Sequence, residues 1–145
     1  MGYQTPTGAG SGVGEQIINV YPPGTIVNSD SLQFKYTSTG AVSAPRVVYA
    51  GATGPAIADK DTVSQQEKIL GVTITSAAGS GEEVTVVTEG KIDDPSFSFT
   101  PGPIWLGNSG VLTQTRPTTG LLIQIAVAIT ATLINVNIGM AIKLA

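Results

Sequence analysis

The residues best equipped for chemistry are three pairs of carboxylates: Asp59 with Asp61, Glu82 with Glu83, and Asp93 with Asp94. Two acids flanking one bond are the machinery of a glycoside hydrolase, and clustered carboxylate oxygens are what calcium takes as ligands. Each pair falls in a stretch that reads as a loop or a strand edge, where solvated acids are ordinary. No Asp-x-Asp-x-Asp-Gly run sets up a calcium loop. Asp93 and Asp94 are the least unsuitable metal ligands, and the expectation is no metal and no cofactor. Hydroxyls are abundant, but serine or threonine needs a neighbouring base to become a nucleophile. The chain contains neither histidine nor cysteine. The commonest general base, the commonest transition-metal ligand and all thiolate chemistry are therefore missing. No catalytic residue is assigned, and the chain is expected not to be an enzyme.

Gly8-Ala9-Gly10-Ser11-Gly12-Val13-Gly14 has the look of a phosphate loop. Such a loop needs Gly-Lys-Ser/Thr after its turn, and Val13-Gly14-Glu15 supplies neither the lysine nor the hydroxyl. A flexible arm over residues 1–16 is the better account, rich in glycine and with little to bury. Ordering it costs about 1–2 kcal/mol per residue, so it is expected to be held by a neighbouring subunit or a partner surface. Tyr3, Gly8, Gly10, Gly12 and Gly14 are candidate partner-binding residues on that basis, since glycine lets a backbone cross a neighbour closely. Trp105, beside Pro101-Gly102-Pro103, is a further candidate for an exposed binding aromatic.

These residues must be carried by a single domain of ordinary size, residues 17–145. Hydrophobic residues make up 41% of the chain, enough for one core, while charged residues make up only 12%. A surface so sparsely charged suits a protein packed against copies of itself or a partner. The seven lysines and arginines are scattered from Lys35 to Lys143, with no basic footprint, so nucleic acid is not an expected partner. The apolar run Leu121 to Ile142 is long enough to raise the question of a membrane span. Gln124, Asn135 and Asn137 interrupt it and β-branched residues dominate it, which favours buried strands over a spanning helix.

Short strands with turn punctuation follow from Ile17 onward. Ile17 to Tyr21 stops at Pro22-Pro23-Gly24. Leu32, Phe34 and Tyr36 alternate with Gln33 and Lys35, the pattern of a half-buried strand. Arg46 to Ala50, Ile69 to Thr75 and Glu83 to Glu89 are further strands; the last places Val84 and Val86 on one face, Thr85 and Val87 on the other, and is ended or bulged by Gly90. Phe97 and Phe99 alternate with serines. Ile104 to Leu106 and Val111 to Thr115 form a hairpin across Gly107-Asn108-Ser109-Gly110. Leu121 to Ile129, Leu133 to Ile138 and Met140 to Leu144 complete the set. A single helical turn over Thr62 to Lys68, capped by Asp59 or Asp61, is the only helix the pattern allows. The fold class is all-β, a small antiparallel β-barrel or sandwich with an extended N-terminal arm.

From Ala41 to Ile138 the order of motifs resembles a module of tailed-bacteriophage virion proteins, found in capsid decoration (cement) and related head-surface proteins. Pro45-Arg46-Val47-Val48-Tyr49-Ala50 leads into a glycine turn and Ala56-Ile57-Ala58-Asp59. Ile69-Leu70-Gly71-Val72-Thr73-Ile74 is similar to the module's glycine-centred strand, followed by Glu82 to Gly90. Phe99-Thr100-Pro101-Gly102-Pro103-Ile104-Trp105-Leu106 is similar to its Thr-Pro-Gly turn and strand. Gly110 to Pro117 and Gln124 to Ile129 complete the order, with Ala128 departing from the glycine of the pattern. The resemblance implies a virion protein on the capsid exterior that binds the major capsid protein and itself, as a trimer or dimer, and stabilises the shell. The alternative is a tail-fibre or head-fibre adhesin module that binds a host glycan or protein.

Overall fold

The computed structural model describes residues 31–145, and the statements below concern those residues. The arm over residues 1–16, the strand expected at Ile17 to Tyr21, and Tyr3, Gly8, Gly10, Gly12 and Gly14 lie outside them. The protein is all-β. Eleven strands run in chain order: β1 (Ser31–Thr37), β2 (Val47–Ala50), β3 (Pro55–Ile57), β4 (Ile69–Thr73), β5 (Glu83–Asp93), β6 (Gly102–Leu106), β7 (Leu112–Thr113), β8 (Leu121–Leu122), β9 (Gln124–Ala128), β10 (Leu133–Asn137) and β11 (Ile142–Lys143). Nine form one antiparallel sheet in the order β3-β2-β4-β5-β10-β9-β6-β7, with β1 added on β5, while β8 and β11 pair separately. No described helix is long and apolar enough to cross a membrane. The apolar run Leu121 to Ile142 is divided among four short strands.

Strand β5 organises the sheet. It is eleven residues long and has three partners. β1 and β10 both pair at Gly90, and β1 and β4 both pair at Val86 and Val87. A residue has only two ladder edges, so β4 and β10 must follow one another along the edge opposite β1. The pairing with β1 skips a residue between Leu32↔Glu89 and Gln33↔Val87, leaving Thr88 as a bulge. That extra residue reverses which side chains face inward. Before it, Val87 enters the main core; after it, Ile92 does, while Glu89 and Lys91 turn out to solvent. The interruption expected at Gly90 thus falls two residues earlier. Gly90, with φ +108, sits just beyond it.

The main core is built from cross-strand rows. Gly90, Val136, Ala126 and Ile104 form one row, and Ile92, Ile134, Ala128 and Gly102 the next. Ile104, Ile134, Val136 and Ala126 are fully buried. Burying each large aliphatic side chain contributes about 1.5–3 kcal/mol, and alternation sends the intervening row of Lys91, Asn135, Val127 and Pro103 to the other face. A second, smaller cluster of Val42, Val48, Ala77, Val84 and Val86 occupies the opposite face of the β2–β4–β5 half. The alternation expected within β5 before its bulge is therefore present.

The sheet curls until its two ends meet through loop backbone. Ala58 N–H donates to Val47 O (2.9 Å), Lys60 N–H to Gly107 O (3.3 Å), and Leu121 N–H to Lys60 O (2.6 Å). The chain after β3 thereby bridges β2 and the tip of the β6–β7 hairpin. This is a partly open barrel, closed by a connecting segment rather than by a ladder.

Three sequence expectations need correction. Leu32 and Phe34 do not lie in a half-buried strand: they are 52% and 44% exposed, because β1 is an added edge strand with little packed over it. The turn at residues 62–68 is only a 3-10 turn, Val63–Gln65. Its N-cap is Thr62, with no side-chain cap bond. The backbone places Asp59 and Asp61 too early to cap it, and both carboxylates are engaged elsewhere. Finally, Phe97 and Phe99 lie outside any strand. Their rings pack at 5.2 Å in a tilted pair, which gives an irregular segment its apolar anchor.

Candidate functional site

The β6–β7 hairpin carries Trp105 and ends in a tip whose shape depends on Asp59. Ser109 has φ +54, the left-handed region that side chains disfavour. Gly110 has φ +71, and a Cβ there would lie 2.8 Å from Val47 O, so only glycine permits this contact. Ser109 N–H donates to Asp59 Oδ2 (2.9 Å). Asp59 Oδ1 accepts from Asp61 N–H (2.9 Å) and from Asn108 Nδ2 (3.2 Å). Asn108 Nδ2 also donates to Asp61 Oδ2 (2.7 Å), and Lys60 Nζ donates to Asp61 Oδ1 (2.7 Å). From the other side, Asp59 N–H donates to Oε1 of the buried Gln65 (2.8 Å). The carboxylate pair is a latch that holds the hairpin tip against the chain after β3.

The electrostatics agree with that role. Partial burial pushes the Asp59 carboxyl upward, but the hydrogen bonds from Ser109 N–H, Asp61 N–H and Asn108 outweigh it and hold the group below its ordinary 3.8. Asp61 is lowered by the hydrogen bonds from Lys60 and Asn108. Both groups are held ionised, and each of their four oxygens accepts at least one hydrogen bond. A general acid needs the reverse, a raised pKa and a free proton. In the other pairs, Asp94 Oδ1 accepts from Ser96 N–H (2.8 Å), Glu82 Oε1 from Ala78 N–H (2.7 Å), and Glu83 faces Lys35 at 3.5 Å, while Asp93 is exposed at the end of β5. Among the described residues, no group of three or more acidic side chains is placed to hold a metal ion.

Trp105 is half-buried on the outward side of β6, between Gln124 of β9 and Thr113 of β7. The guanidinium of Arg116 lies 5.8 Å from its ring centroid, a cation–π contact. Arg116, Thr113, Thr115, Lys60, Val111 and Thr119 line an open groove of about 440 Å³, and Trp105 touches it only through Arg116. Lys60 Nζ is committed to Asp61 and to Thr119 O and Oγ1 (3.4 and 3.3 Å), so Arg116 is the exposed cation of the groove. The groove offers hydroxyls and one exposed cation, and the Trp105 ring lies against that cation.

The remaining surface feature is apolar. Leu32 and Phe34 stand out from β1, Val127 and Ile129 from the β9 end of the sheet, and Met140 and Ile142 near the C-terminus. Of the residues expected to bind a partner, Trp105 alone lies among the described residues. Arg116 and the pair Leu32 and Phe34 were not anticipated. Arg116 carries no local motif, and the alternation in β1 signals a strand face without saying whether anything covers it. No protein-family model matches the chain, and no curated protein matches it in sequence.

Proposed function

We propose that this chain is a structural virion protein, a capsid decoration or cement protein that binds the outer surface of a major capsid shell and stabilises it. The observation that supports this most is the set of large apolar side chains held outward on regular strands, Leu32, Phe34 and Val127, with Ile129 exposed just past the end of β9. Side chains fixed in that way lose little entropy when a partner covers them, and apolar burial stabilises at about 25 cal/mol per Å². The sequence adds a surface with few charges to desolvate, no histidine and no cysteine, and an order of motifs that resembles the decoration module. The mechanism is coverage. Each copy spans neighbouring capsid subunits through modest contacts, and repetition around a shell turns modest contacts into avidity.

The test is calorimetry of expanded capsids lacking the protein, with and without the purified chain. Saturable binding and a raised capsid melting temperature are expected; an unchanged melting temperature refutes cementing. A second function, a tail-fibre or head-fibre adhesin module that binds a host glycan or protein, is favoured by the hydroxyl-lined groove at Arg116, whose guanidinium lies over the Trp105 ring. Copy number separates the two, since a cement covers the shell and a fibre module is present in a few copies.

A further inference from the structure

We infer that the groove at Arg116 is a subsite for an acidic saccharide, in which the guanidinium takes the carboxylate of a uronic or sialic acid unit and the threonines of the groove take its hydroxyls. The inference rests on the glycan-binding reading of the groove and is independent of cementing.

Much of the groove's lining comes from the loop that leaves β7, and that loop is tied at both ends. Gln114 Oε1 accepts from Thr100 N–H (3.0 Å), and Gln114 Nε2 donates to Thr100 O (2.6 Å). At the far end Leu121 N–H donates to Lys60 O (2.6 Å), and Lys60 Nζ donates to Thr119 O and Oγ1 (3.4 and 3.3 Å). Between the two ties Pro117 is buried and fixes its own φ, so Arg116 is held just before a rigid anchor. A ligand does not have to order such a loop, which removes one cost of binding.

Charge selects the class of ligand. The chain has 10 acidic residues against 7 basic ones, yet the lining of this groove includes Lys60 and Arg116 and no carboxylate. Asp61 matches the charge of Lys60, so the exposed Arg116 sets the sign of the groove. Its guanidinium is a planar fork that fits a carboxylate with two hydrogen bonds. The Trp105 ring, 5.8 Å away, restrains that fork without supplying the oxygen acceptors its N–H donors seek. One exposed cation suits one carboxylate. A polyanion needs a row of cations, and the net charge of −3 opposes it. Thr113, Thr115, Thr118 and Thr119 add hydroxyls that both donate and accept, as the hydroxyls of a sugar require. Val111, 41% exposed, adds an apolar contact for the C–H face of a sugar ring. The volume of about 440 Å³ lies within the range of small-molecule sites, about 300–1,000 Å³.

The test titrates the full chain with glucuronate, galacturonate and N-acetylneuraminate, each beside its uncharged methyl ester, by ligand-observed NMR and tryptophan fluorescence. At least one acid is expected to bind saturably, and its ester about tenfold more weakly or worse, the loss expected when a charged hydrogen-bond partner is removed. Trp105 is the only tryptophan of the chain, so a sugar seated on Arg116 should change its emission. Arg116→Gln should lose binding of the acid by the same factor while keeping the β-sheet circular dichroism spectrum. Should that variant lose the spectrum, the acid and ester titrations of the wild type decide the question. Failure of all three acids to bind overturns the inference. So does binding that leaves the Trp105 emission unchanged, or binding that Arg116→Gln leaves intact. An ester that binds as well as its acid overturns it too, and in that case the groove remains a glycan site without acidic specificity.

Discussion

Replacing Asp59 by alanine isolates the latch that closes the barrel. The substitution removes an acceptor of three hydrogen bonds, from Asp61 N–H, Asn108 Nδ2 and Ser109 N–H. It also leaves Ser109 in its left-handed conformation without the bond that holds it there. A hydrogen bond to a charged group contributes about 1.5–3 kcal/mol when well buried. Asp59 is only partly covered, so solvent screening brings each closer to about 0.5–1 kcal/mol and the sum to about 1.5–3 kcal/mol. Unfolding entropy of about 2.1 cal/mol/K per residue is about 0.3 kcal/mol/K for a chain of this length. The expected fall in melting temperature at neutral pH is therefore about 5–10 °C by differential scanning calorimetry. The pH dependence follows from the lowered folded pKa. The carboxylate's contribution is fully present above the unfolded value, near 3.8, and is lost as pH falls through the lower folded value. The gap between wild type and Asp59→Asn should accordingly be constant near neutrality and shrink below about pH 4. A melting temperature for Asp59→Ala within about 1 °C of wild type would refute the latch, since that is less than about 0.3 kcal/mol.

Two further substitutions test the packing. Ile134→Ala, at a fully buried position between Ile92 and Ala128, should cost about 2–5 kcal/mol, read as a lower urea midpoint with an unchanged slope. At Gly71 an added Cβ would run into the Val87 carbonyl, with Val86 Cγ1 only 3.0 Å away. Gly71→Ala should therefore force β4 from β5 and cost about 3 kcal/mol or more, whereas Gly79→Ala, with open space around it, should stay within about 0.5 kcal/mol in the same titration.

Much of the fold is written locally. The hairpin across Gly107 to Gly110 and the strands at Ile69, Glu83, Gln124 and Leu133 follow from β-branched runs between glycine and proline turns. The lack of histidine and cysteine is likewise a property of composition, and it narrows the available chemistry before any folding. The candidate site was less legible. Trp105 was visible as an aromatic beside a turn, but its partner Arg116 lies eleven positions along the chain and comes over the ring only because β7 folds back on β6.

Sequence by itself determined which segments extend and which side chains alternate, because both depend on neighbours one or two residues away. Tertiary structure alone decided which face of each strand is covered. The bulge at Thr88 is the clearest case: a single extra residue, specified by the partner strand, turns Lys91 outward and Ile92 inward. The same limit explains Leu32 and Phe34. Their spacing is that of a buried face, yet burial is a property of what lies across the sheet. The position of β1 at the edge leaves them exposed. The latch at Asp59 also needed the fold, because its donors at positions 108 and 109 are some fifty residues away and meet it only once the sheet has curled.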